Sequence, residues 1–212
     1  MHAPVRTAAA EQALERTFER AMAAAGRALA EMSGQEIGVT ATEVARTSSR
    51  QVLDMAGGAG TLVVAIYIGI TGSLDGHALL VLRPAGARQL ASLLVVGLVE
   101  PGNRTLRDMD LPALDDLELS ALCEVGNVTI SAFLNEVGRH LEEPCSPTVP
   151  TAITDMAGAI LDEVLADLTP DGDEVLAART SFLNGRETIE GAVIVLPRSA
   201  GLAKLTHALG AA

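Results

Sequence analysis

Hydrophobic residues recur at steps of three and four along residues 9–32. This spacing predicts an amphipathic helix with one buried face, because an α-helix repeats every 3.6 residues. The residues predicted to form the apolar face are Leu14, Phe18, Met22 or Ala21, Ala25 and Leu29. A second helical stretch is predicted at about 35–53, in EIGVTATEVARTSSRQVL.

Glycine-bounded runs of β-branched residues follow. The run TLVVAIYIGITG predicts a buried strand, and SLDGHALLVLRP predicts its hairpin partner through an Asp-Gly turn. The segment AGARQLASLLVVG predicts a short helix that ends at Gly97. The next residues, VEPGNRTLRDMDLPALDD, have the pattern of a loop.

The second half of the chain repeats this order of elements. DDLELSALCEVGNVTISAFLNEVG predicts a helix that begins with acidic residues and ends at Gly138. The proline-rich EEPCSPTVP predicts an extended segment, and a mixed segment follows it. Strands are predicted in DEVLAARTSFLN and ETIEGAVIVLP, and a terminal helix in SAGLAKLTHAL.

Two alignments indicate an internal duplication. Around the hairpins the offset is 115 residues, which pairs Gly76 with Gly191, Gly86 with Gly201 and Leu90 with Leu205. The helices that precede the hairpins align at an offset of 93 residues, which pairs Glu31 with Glu124. The second copy would then carry about 22 extra residues around 151–174, either as an extra helix on the sheet or as a partner surface.

The duplicated order predicts an α+β fold, with an antiparallel sheet flanked by helices and a pseudo-two-fold axis between the halves. Neither half could bury its sheet face alone, so we expect a single domain over 1–212, with repeats at about 27–97 and 115–210. A split into two domains near residue 105 is the alternative.

Composition excludes several classes of partner. The net charge is −12, with 15 basic and 27 acidic residues, whereas nucleic-acid binding needs clustered Lys and Arg. Only three Phe, one Tyr and no Trp are present, so stacking platforms for bases are missing. No run reaches the ~18 apolar residues of a membrane span, and the N-terminus lacks a signal-peptide pattern. We expect a cytoplasmic protein with no nucleic-acid partner and no membrane span.

The metal-binding residue types are dispersed. Cys123 and Cys145 form no CxxC motif, and the four histidines lack zinc-ligand spacing. We therefore expect no metal site. The cysteines are read as free thiols in a reducing compartment, with a disulfide between them as the alternative.

Four polar residues form a stripe on the second long helix: Ser120, Glu124, Asn127 and Ser131. A Glu-x-x-Asn pair by itself is most simply interpreted as part of an ordinary solvent-exposed helix face. However, Gly126 and Asn127 are adjacent residues that both weaken a helix, and such local inconsistency is typical of functional sites.

The pattern Asp/Ser-x-x-x-Glu-x-x-Asn, followed by 22 residues and a proline, resembles the motif of the CheC/CheX/FliY phosphatases. Ser120, Glu124, Asn127 and Pro150 satisfy it here. The segments EMSGQEIGVTATEVA and VAIYIGITGSLDGHALLVL also resemble that family, and the duplicated layout is most similar to CheC.

The resemblance implies hydrolysis of the aspartyl-phosphate of a CheY-type response regulator in chemotaxis. Asn127 would orient the attacking water, and Glu124 would dock to the regulator. Ser120 would position or contact the regulator, and Pro150 would set the chain path after the helix. The chain itself would bind no cofactor, since the regulator supplies Mg²⁺, and CheD is a possible further partner.

Aligned at the offset of 93, the first copy places Arg27, Glu31, Gly34 and Gly57 where the motif residues stand. Glycine cannot orient water, so we expect the first helix to be catalytically silent and the protein to have one site. The alternatives to a phosphatase are a non-catalytic adaptor for a regulator or CheD, and a switch component resembling the FliM middle domain.

Overall fold

The computed structural model describes residues 8–95, 114–168 and 174–211. The predicted helix end at Gly97 and most of the loop predicted at 99–116 lie outside these residues. The first half contains two long and one short helix around three strands: α1 (Ala8–Ser33), β1 (Gly38–Ser48), α2 (Ser49–Met55), β2 (Leu62–Gly72), β3 (Gly76–Leu82) and α3 (Pro84–Val95).

The second half repeats the order, with its first strand divided in two. Its elements are α4 (Asp116–Leu141), β4 (Cys145–Pro147), β5 (Thr151–Met156), α5 (Ala157–Ala166), β6 (Glu174–Asn184), β7 (Glu187–Pro197) and α6 (Ser199–Ala211). This confirms the predicted α+β class and the predicted helices at 9–32, in the DDLELSALC segment and at the C-terminal end.

The strands form one antiparallel sheet in the order β1-β6-β7-β3-β2-β4, and β5 also pairs with β2. The two hairpins meet at the centre, where β3 pairs with β7. The first strand of each half pairs with the hairpin of the other half: β1 adds to β6, and β4 and β5 add to β2. The two halves therefore exchange strands within one sheet.

The prediction of a helix at about 35–53 is wrong for most of that segment. Residues Gly38–Ser48 form β1, and only Ser49–Met55 form a helix, α2. The segment GVTATEVARTS is rich in β-branched residues, and it gains a ladder of partners from Gly38↔Leu183 to Ser48↔Glu174. Ser48 then caps α2, since its side chain accepts a hydrogen bond from the Gln51 backbone N–H.

The sheet is covered on both faces. On one face, α1 and α4 pack together around Phe18 and Phe133, whose ring centroids are 4.6 Å apart. On the other face, α2 and α5 cover a second apolar cluster that includes Val63 and Ile160. The predicted extra helix near 151–174 does pack on the sheet, but α5 is the counterpart of α2 rather than a new element.

Both cysteines are free, as the sequence favoured. The predicted end of the second long helix at Gly138 is slightly short, because α4 continues to Leu141. Glu142 follows with a left-handed φ of 53° and caps the helix by donating its N–H to the Gly138 carbonyl.

Candidate functional site

The helix that carries the predicted site, α4, is fixed at both ends. At its N-terminus, Asp115 and Glu118 form a capping box in which the Asp115 carboxylate accepts from the Glu118 N–H at 2.8 Å. The Glu118 carboxylate accepts in return from the Asp115 N–H at 2.9 Å. Arg139 occupies the last turn, where a positive charge interacts favourably with the helix dipole.

One face of α4 is buried in the core and approaches β2 closely. Leu122, Val125 and Ile130 are fully buried, and Gly126 lies directly on β2. A Cβ atom at Gly126 would lie 2.5 Å from Cγ2 of Ile66, which is far inside contact distance. The glycine is therefore required by packing, a reason that the sequence pattern alone did not reveal.

The opposite face of α4 carries the predicted polar stripe to the surface. Ser120 and Glu124 are exposed, and Asn127 is half-buried. Glu124 and Asn127 are three residues apart, so they are neighbours one turn apart on the helix surface. The structure thus presents a carboxylate and a carboxamide side by side, as the spacing predicts.

Cys123 shows where this face lies relative to the sheet. Burial raises the pKa of the Cys123 thiol, and a hydrogen bond with the backbone of Ala152 in β5 acts in the opposite direction. Because β5 is an outer strand of the sheet, this contact places α4 over the sheet edge. Asn127 follows Cys123 by one turn on the same side of the helix.

Two contacts locate Pro150 relative to Asn127. Cys123 contacts the backbone of Ala152, and Gly138 lies against the backbone of Glu143 and Cys145. The later residue of α4 thus meets the earlier residues of the β4–β5 segment, so the two run antiparallel. Four helical residues rise about 6 Å, and two strand residues span about 6.6 Å. Asn127 lies one turn after Cys123, and Pro150 lies two residues before Ala152. Since the two segments run antiparallel, Pro150 and Asn127 lie at the same height along the axis of α4.

This geometry gives a physical reason for the 22 residues between Asn127 and Pro150. They are the chain needed to complete α4, turn at Glu142 and return along β4 to the same level. Ser120, Glu124 and Asn127 thus share one face of α4, and Pro150 lies between the outer strands β4 and β5 that run beside this helix. Their roles in catalysis and binding remain predictions.

The segment between β4 and β5 contains a feature that the sequence analysis missed. Three residues, 148–150, face only two residues of β2, 68 and 69, because Pro147 pairs with Ile70 and Thr151 pairs with Tyr67. This is a β-bulge, a distortion that re-aims side chains and is frequent beside active sites. The two prolines of PTVP were its only sequence signal.

The metal-binding residue types and the two best-formed cavities of the described residues give the predicted site no further element. Among the described residues, no group of three His, Cys, Asp or Glu could hold a metal ion. Two apolar cavities lie away from α4, one beneath α6 and one beneath α5.

The equivalent helix in the first half is not aligned as the sequence offset of 93 suggests. Both α1 and α4 are followed by a residue with left-handed φ, Gly34 at 67° and Glu142 at 53°. These residues give an offset of 108. The counterparts of Ser120, Glu124 and Asn127 are then Gln12, Arg16 and Glu19.

The pairing of Glu124 with Glu31 is therefore corrected. The two offsets differ by 15 residues, about four helical turns, so the apolar periodicity of an Ala/Leu-rich helix does not separate them. The predicted absence of the Glu-Asn pair from the first helix does not depend on the choice. Neither alignment gives α1 that pair at the equivalent positions.

α4 is long and apolar enough to cross a membrane by length and composition, with a mean hydropathy of 1.3 over its best window. A buried core helix passes the same test, and α4 packs against α1, α3 and the sheet. Its apolar face is thus accounted for by the core.

Comparison with known proteins finds a relative that spans most of the chain. The chain is 27% identical over 188 residues to the CheY-P phosphatase CheC of Bacillus subtilis (strain 168), which covers 87% of this chain and 86% of the relative. The chain is thus similar over most of its length to a member of the CheC/CheX/FliY family. No family model matches the chain.

Several solved structures share the fold of this chain. FliY of Thermotoga maritima covers 98% of both chains with a TM-score of 0.70 at 18% identity. The FliM middle domain from H. pylori covers 96% of this chain and 99% of its own, with a TM-score of 0.67 at 8% identity. CheX in a CheX–CheY–BeF3–Mg²⁺ complex from Borrelia burgdorferi covers 88% of this chain and 98% of its own, with a TM-score of 0.50 at 18% identity.

Proposed function

We propose that this protein hydrolyses the aspartyl-phosphate of a CheY-type response regulator at the outer face of α4. The observation that carries the proposal is the exposed Glu124 with Asn127 one turn away, level with Pro150, in a chain related to a CheY-P phosphatase. A surface site of this kind suits a protein substrate, because a folded regulator cannot enter a closed pocket.

Asn127 would orient the attacking water. Phosphoryl transfer passes through a loose transition state, so a catalyst contributes mainly position and electrostatic stabilisation. A carboxamide can both accept a hydrogen bond from water and donate one, without adding negative charge beside the phosphoryl group. Its half-buried position on a capped helix limits the directions that the side chain can take.

Glu124 would dock to the regulator, most simply to a lysine of its active site. The alternative role, a general base, gains little because the loose transition state scarcely needs early proton removal. A carboxylate aimed at the phosphoryl group would also be repelled by it. An exposed glutamate at the rim of the site is better suited to a charge-assisted contact with a lysine.

Ser120 and Pro150 would support the contact at the two sides of this pair. Ser120 lies one turn before Glu124 and would position or contact the regulator. Pro150 would set the path of the chain beside Asn127. The chain would bind no cofactor of its own, because the Mg²⁺ that assists phosphoryl transfer would lie in the regulator.

The test is the decay of a phosphorylated regulator. CheY-type regulators from the same genome would be phosphorylated with acetyl phosphate, and phosphate release would be followed with and without this protein. We expect faster decay with the wild type, and a loss of about a hundredfold or more with Asn127→Ala.

A matched control is available on the same helix. Asn135 is exposed and lies eight residues after Asn127, on another side of α4, so Asn135→Ala should leave the rate unchanged. Unchanged decay with wild-type protein for every regulator would contradict the phosphatase. Equal losses for both asparagine variants would show that Asn127 has no special role.

A non-catalytic binding role is the second candidate. It is favoured by the FliM middle domain, which has a similar fold and was solved in a FliG–FliM complex. In that case this protein would bind a regulator or CheD without shortening the lifetime of the phosphoaspartate. Measurable binding with unchanged decay would identify it.

A further inference from the structure

Val149 is the most exposed of the large hydrophobic side chains that the structure describes. Its exposed fraction is 83%, whereas the other exposed ones, Met32, Leu62, Leu117 and Met156, lie between 42% and 47%. An isolated exposed valine is not unusual in itself. Val149 differs from the other exposed apolar residues in two ways: it lies in the β-bulge, and it lies near Asn127 along the outer edge of the sheet.

The bulge between β4 and β5 forces Val149 outward. Thr148 donates its N–H to the Gly69 carbonyl at 2.8 Å, and its hydroxyl accepts from the Gly69 N–H at 2.9 Å. These two bonds hold Thr148 opposite Gly69, which leaves Val149 as the extra residue of the bulge. The valine therefore has no place in the sheet ladder and points away from the core.

The same geometry places Val149 beside the reacting edge. Pro150 is level with Asn127 and Thr148 is level with Ser131, so Val149 lies between them on the outer side of the sheet. A protein substrate that brings a phosphoaspartate to Asn127 would therefore approach this protruding side chain. An apolar patch on the substrate would suit this side chain, because Val149 and the two prolines of the segment, Pro147 and Pro150, carry no charge.

The segment is also pre-organised for contact. Pro147 and Pro150 restrict the backbone on both sides of Val149, and Thr148 is tied to β2. Ordering a loop is a principal cost of association, and a segment that is already fixed avoids most of it. An apolar anchor on a rigid bulge is the kind of residue that contributes disproportionately to an interface.

We propose that Val149 is the apolar anchor by which this protein docks the phosphorylated receiver domain of its regulator, fixing the pose in which Asn127 meets the phosphoryl group. This inference rests on the proposed function, since it assumes that the same edge receives the regulator. Val149 would be a positioning residue: it touches the regulator away from the reacting atoms.

The test separates affinity from turnover. Val149→Thr keeps the β-branched shape but makes the tip polar, and Val149→Asp adds a charge; both leave the core untouched. We expect the KM for acetyl-phosphate-charged regulator to rise about threefold to tenfold with Val149→Thr and more than tenfold with Val149→Asp, with kcat nearly unchanged.

A second measurement uses the regulator charged with beryllofluoride, in which binding is read without hydrolysis. Its Kd should rise by the same factor as KM in each variant. Met156→Gln is the matched control, because Met156 is an exposed apolar residue on the same outer strand, about 20 Å further along it. It should change KM and Kd less than twofold.

The outcomes distinguish the two proposals. An active wild type whose KM and Kd are unchanged by both Val149 variants would overturn the anchor and leave the phosphatase standing. A fall in kcat without a rise in KM would also overturn it, because Val149 would then act at the reacting centre. A wild type that neither binds nor dephosphorylates any regulator would overturn both.

Discussion

The close approach of α4 to β2 at Gly126 makes a quantitative prediction. In Gly126→Ala, the new methyl group would lie 2.5 Å from Cγ2 and 2.9 Å from Cβ of Ile66. Carbon atoms in contact prefer 3.5–4.0 Å, so the helix and the strand must separate by about 1 Å. Ile66 cannot move aside, because it is fully buried and β2 is paired on both sides, at Leu80 and Ala152.

Two free energies of opposite sign decide the stability of this variant. Overpacking a core typically costs about 1–3 kcal/mol, whereas replacing a mid-helix glycine with alanine gains about 1 kcal/mol. We expect a net loss of about 1 kcal/mol because the collision involves a stiff β-branched side chain. For a domain of this size, that lowers Tm by about 2–4 °C.

The activity of Gly126→Ala should fall more than its stability suggests. A displacement of about 1 Å carries Asn127 with it, and a misplacement of that size can cost about a hundredfold in rate. Urea denaturation and thermal melting would give the stability, and phosphate release from the regulator would give the rate. Circular dichroism would show that the fold is kept.

Gly210→Ala is the matched control, because Gly210 also lies in a helix but has nothing within 4 Å of the position of a Cβ atom. It should be neutral or slightly stabilising, and the rate should not change. The packing argument would be refuted if Gly126→Ala were at least as stable as the wild type and fully active. In that case α4 would not need its close approach to Ile66.

The remaining predictions concern α1, which we expect to be catalytically silent, and the effect of pH. Glu31→Ala and Arg16→Ala should both leave the rate of regulator dephosphorylation nearly unchanged, since α1 lacks the Glu-Asn pair; a large loss in either would show that the first helix takes part. Burial lowers the pKa of His77 below 6.5, against the opposing effect of Asp167, whose carboxylate lies 3.1 Å from Nε2. The unfolded chain then binds more protons below pH 6.5, so the free energy of unfolding should fall as the pH is lowered through and below 6.5. His77→Gln should flatten that dependence in urea titrations between pH 5 and 7, and an unchanged slope would assign the pH effect to other groups.

The sequence predicts the long helices and the central hairpins because their patterns are locally unambiguous. A 26-residue helix repeats its apolar face many times, and the hairpin strands are bounded by glycine and turn residues. The Glu124–Asn127 pair also follows directly from helical spacing. These features depend on neighbouring residues alone.

Other features depend on contacts between distant residues, and the sequence gives little sign of them. β1 was predicted as helix because its strand character is fixed by β6, more than 120 residues away. From the sequence alone, Gly126 only weakens the helix. The structure shows that a glycine is needed there because Ile66 of β2 leaves no space for a Cβ atom. The alignment of α1 with α4 failed for a different reason, because the helical period allows several registers.

The exchange of strands between the halves has a consequence for assembly. The residues paired between β1 and β6 are 126 to 145 positions apart in the chain, so β1 has no partner until the second hairpin has been synthesised. A half-length chain would expose unpaired strand edges and would complete its sheet only by exchanging strands with a second copy. Such a dimer would melt at a temperature that depends on protein concentration. In the undivided chain both halves are covalently linked, so the strands are exchanged within one molecule at a fixed effective concentration. The melting temperature of this chain should therefore not change when the protein is diluted.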